Sequence, residues 1–156
     1  MGSPWADGWA MALLLVAQPL AAQQVREIGL QATTTASDPA LVIGGAYAAL
    51  RTSLRTRVSV AAGAGASGGD LAWRGELLAH FLLNPDRQRG AALYGAGGLA
   101  VVGGPADEGY LVLTLGLEAG PGSRSGWFLE GGIGGGVRLA AGYRWRKRPA
   151  GAAGLE

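Results

Sequence analysis

Residues 110–118 read YLVLTLGLE, and this stretch decides the fold. Its four leucines occupy every second position, with smaller or polar residues between them. Successive side chains of a β-strand point to opposite faces, so the stretch predicts a strand with one apolar face. The apolar positions are Leu111, Leu113, Leu115 and Leu117. Residues 138–146, RLAAGYRWR, repeat the pattern, with arginines alternating against Tyr143 and Trp145.

The composition indicates one domain built from a sheet. The chain has 156 residues, a length typical of a single domain, and 49% of them are hydrophobic. No stretch reaches the roughly 18–20 uninterrupted apolar residues that a membrane-spanning helix needs. The 29 glycines are scattered through strand-like segments without a proline repeat. They therefore exclude collagen and predict bends within strands.

Residues that build most chemical sites are scarce. The chain has no cysteine and a single histidine, His80, so the sequence predicts no metal site. The net charge is only +2, and the basic residues form no aromatic-interleaved cluster, which argues against nucleic-acid binding. The glycine clusters lack the lysine and helix context of a phosphate-binding loop. Because the candidate strand that holds His80 offers no serine nucleophile, we predict no catalytic residue. We also predict no cofactor, because the sequence offers neither a metal site nor a phosphate-binding loop.

Turn-forming residues divide most of the chain into eight candidate strands. They lie at 25–36, 40–51, 55–66, 71–83, 90–103, 108–119, 126–136 and 137–147. Short breaks favour an antiparallel meander, because parallel neighbours need long crossover connections. The prediction is an all-β fold, an eight-stranded antiparallel up-and-down β-barrel, in which closure removes the exposed sheet edges.

The two ends of the chain have a different character. Residues 10–22, AMALLLVAQPLAA, form a short apolar run followed by Gln23 and Gln24. This pattern predicts a signal peptide over 1–22 with cleavage after about Ala22, and a buried N-terminal helix is the alternative. The barrel then spans 23–147, and residues 148–156 form a short C-terminal tail.

The charges at the breaks alternate along the chain. Acidic residues occupy the first, third and fifth breaks, and arginines occupy the second, fourth and sixth. In a meander the odd breaks share one rim and the even breaks share the other, so the sequence predicts one acidic and one basic rim. The acidic residues are Asp38, Asp70, Asp107 and Glu108, and the basic residues are Arg51, Arg55, Arg57, Arg87, Arg89 and Arg124.

Charged side chains keep to one face of the candidate strands, and the direction of that face decides the environment. With the apolar face inward, the barrel would be soluble but coated with glycine and alanine. With it outward, the charges would pair inside a narrow lumen. An arginine at the midplane of a lipid-facing surface costs about 2–4 kcal/mol, so the consistent phase favours a transmembrane barrel.

The predicted lumen network is Arg57, Arg74, Glu76, His80, Glu118, Glu130 and Arg138, with His80 joined to Glu76 and Arg74. The glycines predicted to make room are Gly45, Gly63, Gly98, Gly116, Gly132 and Gly134.

Aromatic residues on the apolar face predict a membrane girdle. Trp73 and Phe81 lie eight residues apart, which is about 26 Å along a strand. After a tilt near 40° this is roughly 20 Å along the membrane normal, nearly the height of the apolar band of a transmembrane barrel. The predicted girdle is Trp73, Phe81, Trp127, Tyr143 and Trp145.

Residues 25–147 resemble the small eight-stranded bacterial outer-membrane barrels of the OmpA/OmpX type. The stretch RLAAGYRW at 138–145 resembles their C-terminal recognition signal, a polar residue followed by spaced aromatics on the lipid face. The resemblance implies insertion into the bacterial outer membrane by the assembly machinery, with Tyr143 and Trp145 as the recognised residues and outer-membrane lipid as partner. We expect a monomeric, non-enzymatic barrel, structural or at most a narrow passage. The alternative is an exported soluble β-barrel that binds a small apolar ligand in a cavity lined by Leu111, Leu113, Leu115 and Leu117.

Overall fold

The computed structural model describes residues 25–105 and 107–147, which form a closed barrel of eight antiparallel strands. The strands are β1 (Arg26–Ala36), β2 (Leu41–Arg51), β3 (Thr56–Ser67), β4 (Asp70–Leu82), β5 (Ala91–Gly103), β6 (Glu108–Ala119), β7 (Ser125–Ile133) and β8 (Val137–Lys147). Each strand pairs with its sequence neighbours, and β1 pairs with β8 to close the barrel. The predicted up-and-down barrel is confirmed. The predicted signal peptide and C-terminal tail lie outside the described residues.

Glycine sets the strand ends at two turns. Seven of the predicted strands agree with the structure to within one residue at each end, whereas β7 stops at Ile133, three residues early. Residues 134–136 form the turn, where Gly135 has φ 79°, a conformation that L side chains rarely adopt. Between β3 and β4, Gly68 and Gly69 have φ 61° and 98°, as a two-residue type I′ hairpin turn requires. No helix in the described ranges is long and apolar enough to cross a membrane.

Alternation along the strands separates an apolar outside from a mixed inside. On β6, Leu111, Leu113 and Leu115 point outward and are 77%, 61% and 69% exposed, while Val112 and Thr114 point inward and are buried. The prediction that follows from a soluble, ligand-binding barrel, that these leucines line an internal cavity, is therefore wrong.

Apolar and aromatic side chains share the interior with charged ones. The two buried apolar clusters are Leu78, Ala96, Ala100 and Val112, and Leu41, Ile43 and Ala72. Tyr47 packs against Phe128 with ring centroids 5.4 Å apart. At Gly142 an added Cβ would overlap the Phe128 ring, so the missing side chain leaves the space that the aromatic ring occupies.

The two rims carry opposite exposed charges. The β1–β2, β3–β4 and β5–β6 breaks lie at one end, where the exposed carboxylates form the acidic rim: Asp38, Asp70, Asp107 and Glu108. The exposed cations of the other end form the basic rim: Arg26, Arg55, Arg87, Arg89, Arg124 and Lys147. Arg51 is partly exposed at the same end. Arg57 does not belong to the rim, because its position on β3 points inward and its side chain is fully buried.

Candidate functional site

The lumen nearer the basic rim holds three arginines around two glutamates, here named the Glu118 cluster: Glu27, Arg57, Glu118, Arg144 and Arg146. Glu118 Oε2 accepts a hydrogen bond from Arg57 Nη1 at 2.9 Å and another from Arg144 Nη2. Glu27 accepts hydrogen bonds from Arg57 Nη1 at 3.3 Å and from Arg146 Nε at 3.1 Å. All five side chains are buried, and the cluster has one positive charge in excess.

A second set, the Glu76 cluster, lies farther from the basic rim and is neutral: Arg74, Glu76, Glu130 and Arg138. Arg138 binds Glu76 with two parallel hydrogen bonds of 3.0 and 2.8 Å and donates a third to Glu130 at 2.9 Å. Arg74 Nε donates to Glu76 Oε1 at 2.6 Å, and Tyr94 Oη donates to Glu130 Oε1 at 2.9 Å. Two-pronged arginine–carboxylate pairs of this kind are among the strongest hydrogen-bonded contacts in proteins.

Pairing is what allows so much charge inside the barrel. An isolated buried ion carries a desolvation penalty of several kcal/mol, which only close opposite charges and further hydrogen bonds offset. Aromatic rings cover guanidinium faces as well: Arg57 lies 4.9 Å from the Tyr94 ring centroid and Arg144 lies 5.6 Å from that of Phe128. The aromatic residues of the lumen thus both fill space and contact its cations.

Side chains occupy the middle of the lumen. Beside Glu76, between β1 and β4, a cavity of about 10 Å³ remains, which is about the room that one water molecule needs. A larger cavity of about 120 Å³ opens at the acidic rim, bounded by Thr35, Tyr110 and Arg74. This cavity can admit solvent at the acidic rim, and Arg74 of the Glu76 cluster forms part of its lining.

His80 lies nearer the basic rim than Glu76 and its partners are Arg57 and Ser59, so the prediction that it joins Glu76 and Arg74 is wrong. Its Nδ1 lies 3.2 Å from Arg57 Nη2, and its Nε2 lies 2.7 Å from Ser59 Oγ. Arginine nitrogens only donate, so Nδ1 is an acceptor and the neutral ring carries its proton on Nε2, directed at Ser59. In that state the ring cannot take the proton of Ser59, and the pair lacks the chemistry of an activated nucleophile. No group of three or more His, Cys, Asp or Glu within the described ranges is placed to hold a metal ion.

All seven residues predicted for the lumen point inward and are buried. Three members of the Glu118 cluster are missing from the predicted lumen network, although their alternation with outward residues indicates that they point inward. Glu27 precedes the outward Ile28, and Arg144 and Arg146 flank the outward Trp145. Tyr94 had no such signal, because β5 is rich in alanine and glycine.

The predicted lumen glycines serve two different purposes. An added Cβ at Gly116 would overlap the Tyr94 ring, and one at Gly134 would lie 3.3 Å from Arg74 Nη2, so these two do leave room for lumen side chains. At the remaining four positions, an added Cβ would instead meet the backbone of a neighbouring strand: Gly45, Gly63, Gly98 and Gly132. These glycines permit close strand-to-strand approach rather than a wider lumen.

The five residues predicted for the girdle lie on the outer surface and are 44–51% exposed. Trp73 lies near the acidic rim, and the other four lie toward the basic rim. Tyr143 and Trp145 are in edge-to-face contact with centroids 5.3 Å apart. Tyr143 Oη donates to Ser125 Oγ at 2.9 Å, which ties β8 to β7 on the outside of the barrel.

A solved structure of another barrel shares this fold. The N-terminal β-barrel domain of Pseudomonas aeruginosa OprF is similar over 78% of this chain and 97% of that domain, with a TM-score of 0.59 and 12% sequence identity. Ail, the attachment invasion locus protein of Yersinia pestis, aligns over the same shares with a TM-score of 0.44 and 16% identity. No protein-family model and no curated protein sequence matches the chain. The resemblance to small eight-stranded outer-membrane barrels is confirmed at the level of the fold.

Proposed function

We propose that this chain is an integral protein of the bacterial outer membrane, a non-enzymatic barrel with a structural role and a lumen closed by its own side chains. The observation that carries the proposal is the division of the strands into an apolar outer face and an inner face of paired charges. A soluble barrel requires the opposite arrangement, with polar residues on its outer face, because that face is in contact with water.

The outer surface is too apolar for water. Exposed apolar residues occur on neighbouring strands around the barrel, for example Leu30 on β1, Val42 on β2 and Val60 on β3, each more than 50% exposed. Soluble monomers rarely expose contiguous apolar patches larger than a few hundred Å². Each Å² left in water costs about 25 cal/mol, and this cost disappears when lipid chains cover the surface.

Dependence on an amphiphile tests this proposal. The full chain, unfolded in urea, is diluted into detergent micelles, into lipid vesicles or into plain buffer, and each sample is examined by circular dichroism and by gel mobility with and without boiling. We expect β structure and a heat-modifiable band only where an amphiphile is present. A monomeric, soluble β protein in plain buffer would overturn the proposal.

We further propose that the barrel passes at most a small, weak current. The Glu76 cluster bridges the lumen, because Arg138 on β8 binds Glu76 on β4. In a planar bilayer we expect no large, stable single-channel steps from the wild-type protein. Removing both partners by Glu76→Ala with Arg138→Ala should raise the conductance, and Glu108→Gln at the acidic rim is the matched control. Large steps from the wild type would contradict this proposal.

Recognition by the outer-membrane assembly machinery is proposed for Tyr143 and Trp145. The two rings lie side by side on the outside of β8 and remain half exposed, so a partner can contact both. Tyr143→Ala with Trp145→Ala should slow insertion in the presence of the purified machinery much more than it slows spontaneous refolding into detergent. Trp73→Ala, at the opposite rim, is the control, and equal effects of the two variants would refute the assignment.

Export and a monomeric state complete the proposal. We propose that residues 1–22 direct secretion, and the mass of the mature protein from an outer-membrane fraction tests where the chain is cleaved. The pairing of β1 with β8 closes the sheet within one chain, so no second copy is needed to cover an edge. Sedimentation in detergent should give the mass of one chain.

A further inference from the structure

The basic rim presents exposed cations without matching carboxylates. None of its six cations (Arg26, Arg55, Arg87, Arg89, Arg124 and Lys147) appears in an ion pair with another described residue. The exposed carboxylate that the described residues place at this end is Asp86. Six positive charges therefore face one negative charge.

The strand register places two of these cations opposite each other. Arg26 and Lys147 stand directly opposite each other on β1 and β8, and both are exposed. Like charges in such a cross-strand pair are destabilising unless an anion lies between or beside them. The Glu118 cluster underneath adds a further net positive charge instead of cancelling the rim.

The aromatic girdle sets the depth of this rim. Phe81, Trp127, Tyr143 and Trp145 lie on the outer surface at the same end of the barrel. Tryptophan and tyrosine on a membrane barrel settle at the level of the lipid headgroups. The cations at the adjoining strand ends and turns would then lie at the depth of the lipid phosphates.

From this arrangement we propose that the basic rim binds the headgroups of anionic phospholipids. The inference rests on the proposed insertion into a membrane. The acidic rim gives the contrast, because its exposed charges in the described ranges are carboxylates, and both arginines of the neighbouring Glu76 cluster are buried. Anionic lipid should therefore gather at one end of the barrel.

Lipid selectivity measured by electron paramagnetic resonance tests the inference. The full chain is inserted into phosphatidylcholine vesicles that contain either spin-labelled phosphatidylglycerol or spin-labelled phosphatidylcholine, and the motionally restricted fractions are compared. We expect phosphatidylglycerol to associate about fivefold more strongly, the effect of one cation near one headgroup. High salt should weaken the preference.

Two matched variants locate the effect. Replacing all six rim cations by glutamine should abolish the preference for phosphatidylglycerol. Neutralising the acidic rim by Asp38→Asn, Asp70→Asn, Asp107→Asn and Glu108→Gln should leave it intact. If the sixfold variant does not insert, Arg26→Gln with Lys147→Gln, and separately Arg87→Gln with Arg89→Gln, should each lose part of the preference.

The outcomes separate this inference from the proposed function. A wild-type protein that gives no heat-modifiable band in phosphatidylcholine vesicles contradicts membrane insertion itself. Insertion with equal association of the two lipids, or a preference that survives the loss of the rim cations, overturns the inference alone. Binding to dextran sulfate without any preference for phosphatidylglycerol would also overturn it and would point to a soluble polyanion.

Discussion

Replacing Glu118 by glutamine would leave three buried arginines with one carboxylate. In the wild type, Glu118 Oε2 accepts hydrogen bonds from Arg57 and Arg144 and lies 3.8 Å from Arg146 Nη2. A hydrogen bond to a charged group contributes about 1.5–3 kcal/mol, so weakening two of them is a large loss. Removing one partner of a buried ion pair costs about 3–5 kcal/mol, and we expect Glu118→Gln to lower the free energy of unfolding by that amount.

Equilibrium urea unfolding in lipid vesicles, followed by tryptophan fluorescence, measures this loss. Glu108→Gln makes the same chemical change at an exposed position and should alter the free energy of unfolding by no more than about 0.5 kcal/mol. Combining Glu118→Gln with Arg144→Gln removes one unbalanced cation and should recover part of the stability. A loss below about 1 kcal/mol for Glu118→Gln, the size expected of a surface pair, would refute the view that paired charges stabilise the lumen.

The other predictions concern the apolar outer face and the packing of the lumen, and they use the same unfolding assay. Leu113→Arg places a cation near the middle of the outer face and should cost about 2–4 kcal/mol in vesicles, whereas Leu71→Arg at a strand end should cost about 0–1 kcal/mol; equal losses would contradict a lipid-facing surface. Gly116→Ala brings a methyl group against the Tyr94 ring and should cost about 1–3 kcal/mol. Gly109→Ala has no atom closer than 4.0 Å to the added Cβ and should be nearly neutral, so a matching loss there would refute the packing argument.

Alternation was enough to predict the barrel and much of its interior. In β6 and β8 the outward positions include leucines or aromatic residues and the inward positions include glutamate or arginine, so one residue fixes the phase of its neighbours. A slip by one residue would move a charge such as Arg138 to the apolar face, and the sequence therefore specifies the register of each face strongly. The same alternation places Glu27, Arg144 and Arg146 on the inner face, although the predicted lumen network did not include them.

The contacts across the lumen could not be read from one strand at a time. Ser59 meets His80 because β3 and β4 pair with Arg57 directly opposite His80, and this register depends on the turn between the strands. The phase of β2 is likewise hidden by alanine and glycine, so the inward position of Tyr47 has no sequence signal. The same holds for four of the glycines, whose need arises from the backbone of the next strand.

The claim that the apolar face meets lipid is tested most directly by spin labels on the outside of β6. The chain has no cysteine, so Leu111→Cys, Leu113→Cys and Leu115→Cys each give a single labelling site. In vesicles we expect these labels to collide readily with oxygen, which dissolves in lipid, and rarely with a water-soluble nickel chelate, while a label at Glu108→Cys shows the reverse. If the label at Leu113 is as accessible to the nickel chelate as the label at Glu108, that result would contradict a membrane barrel.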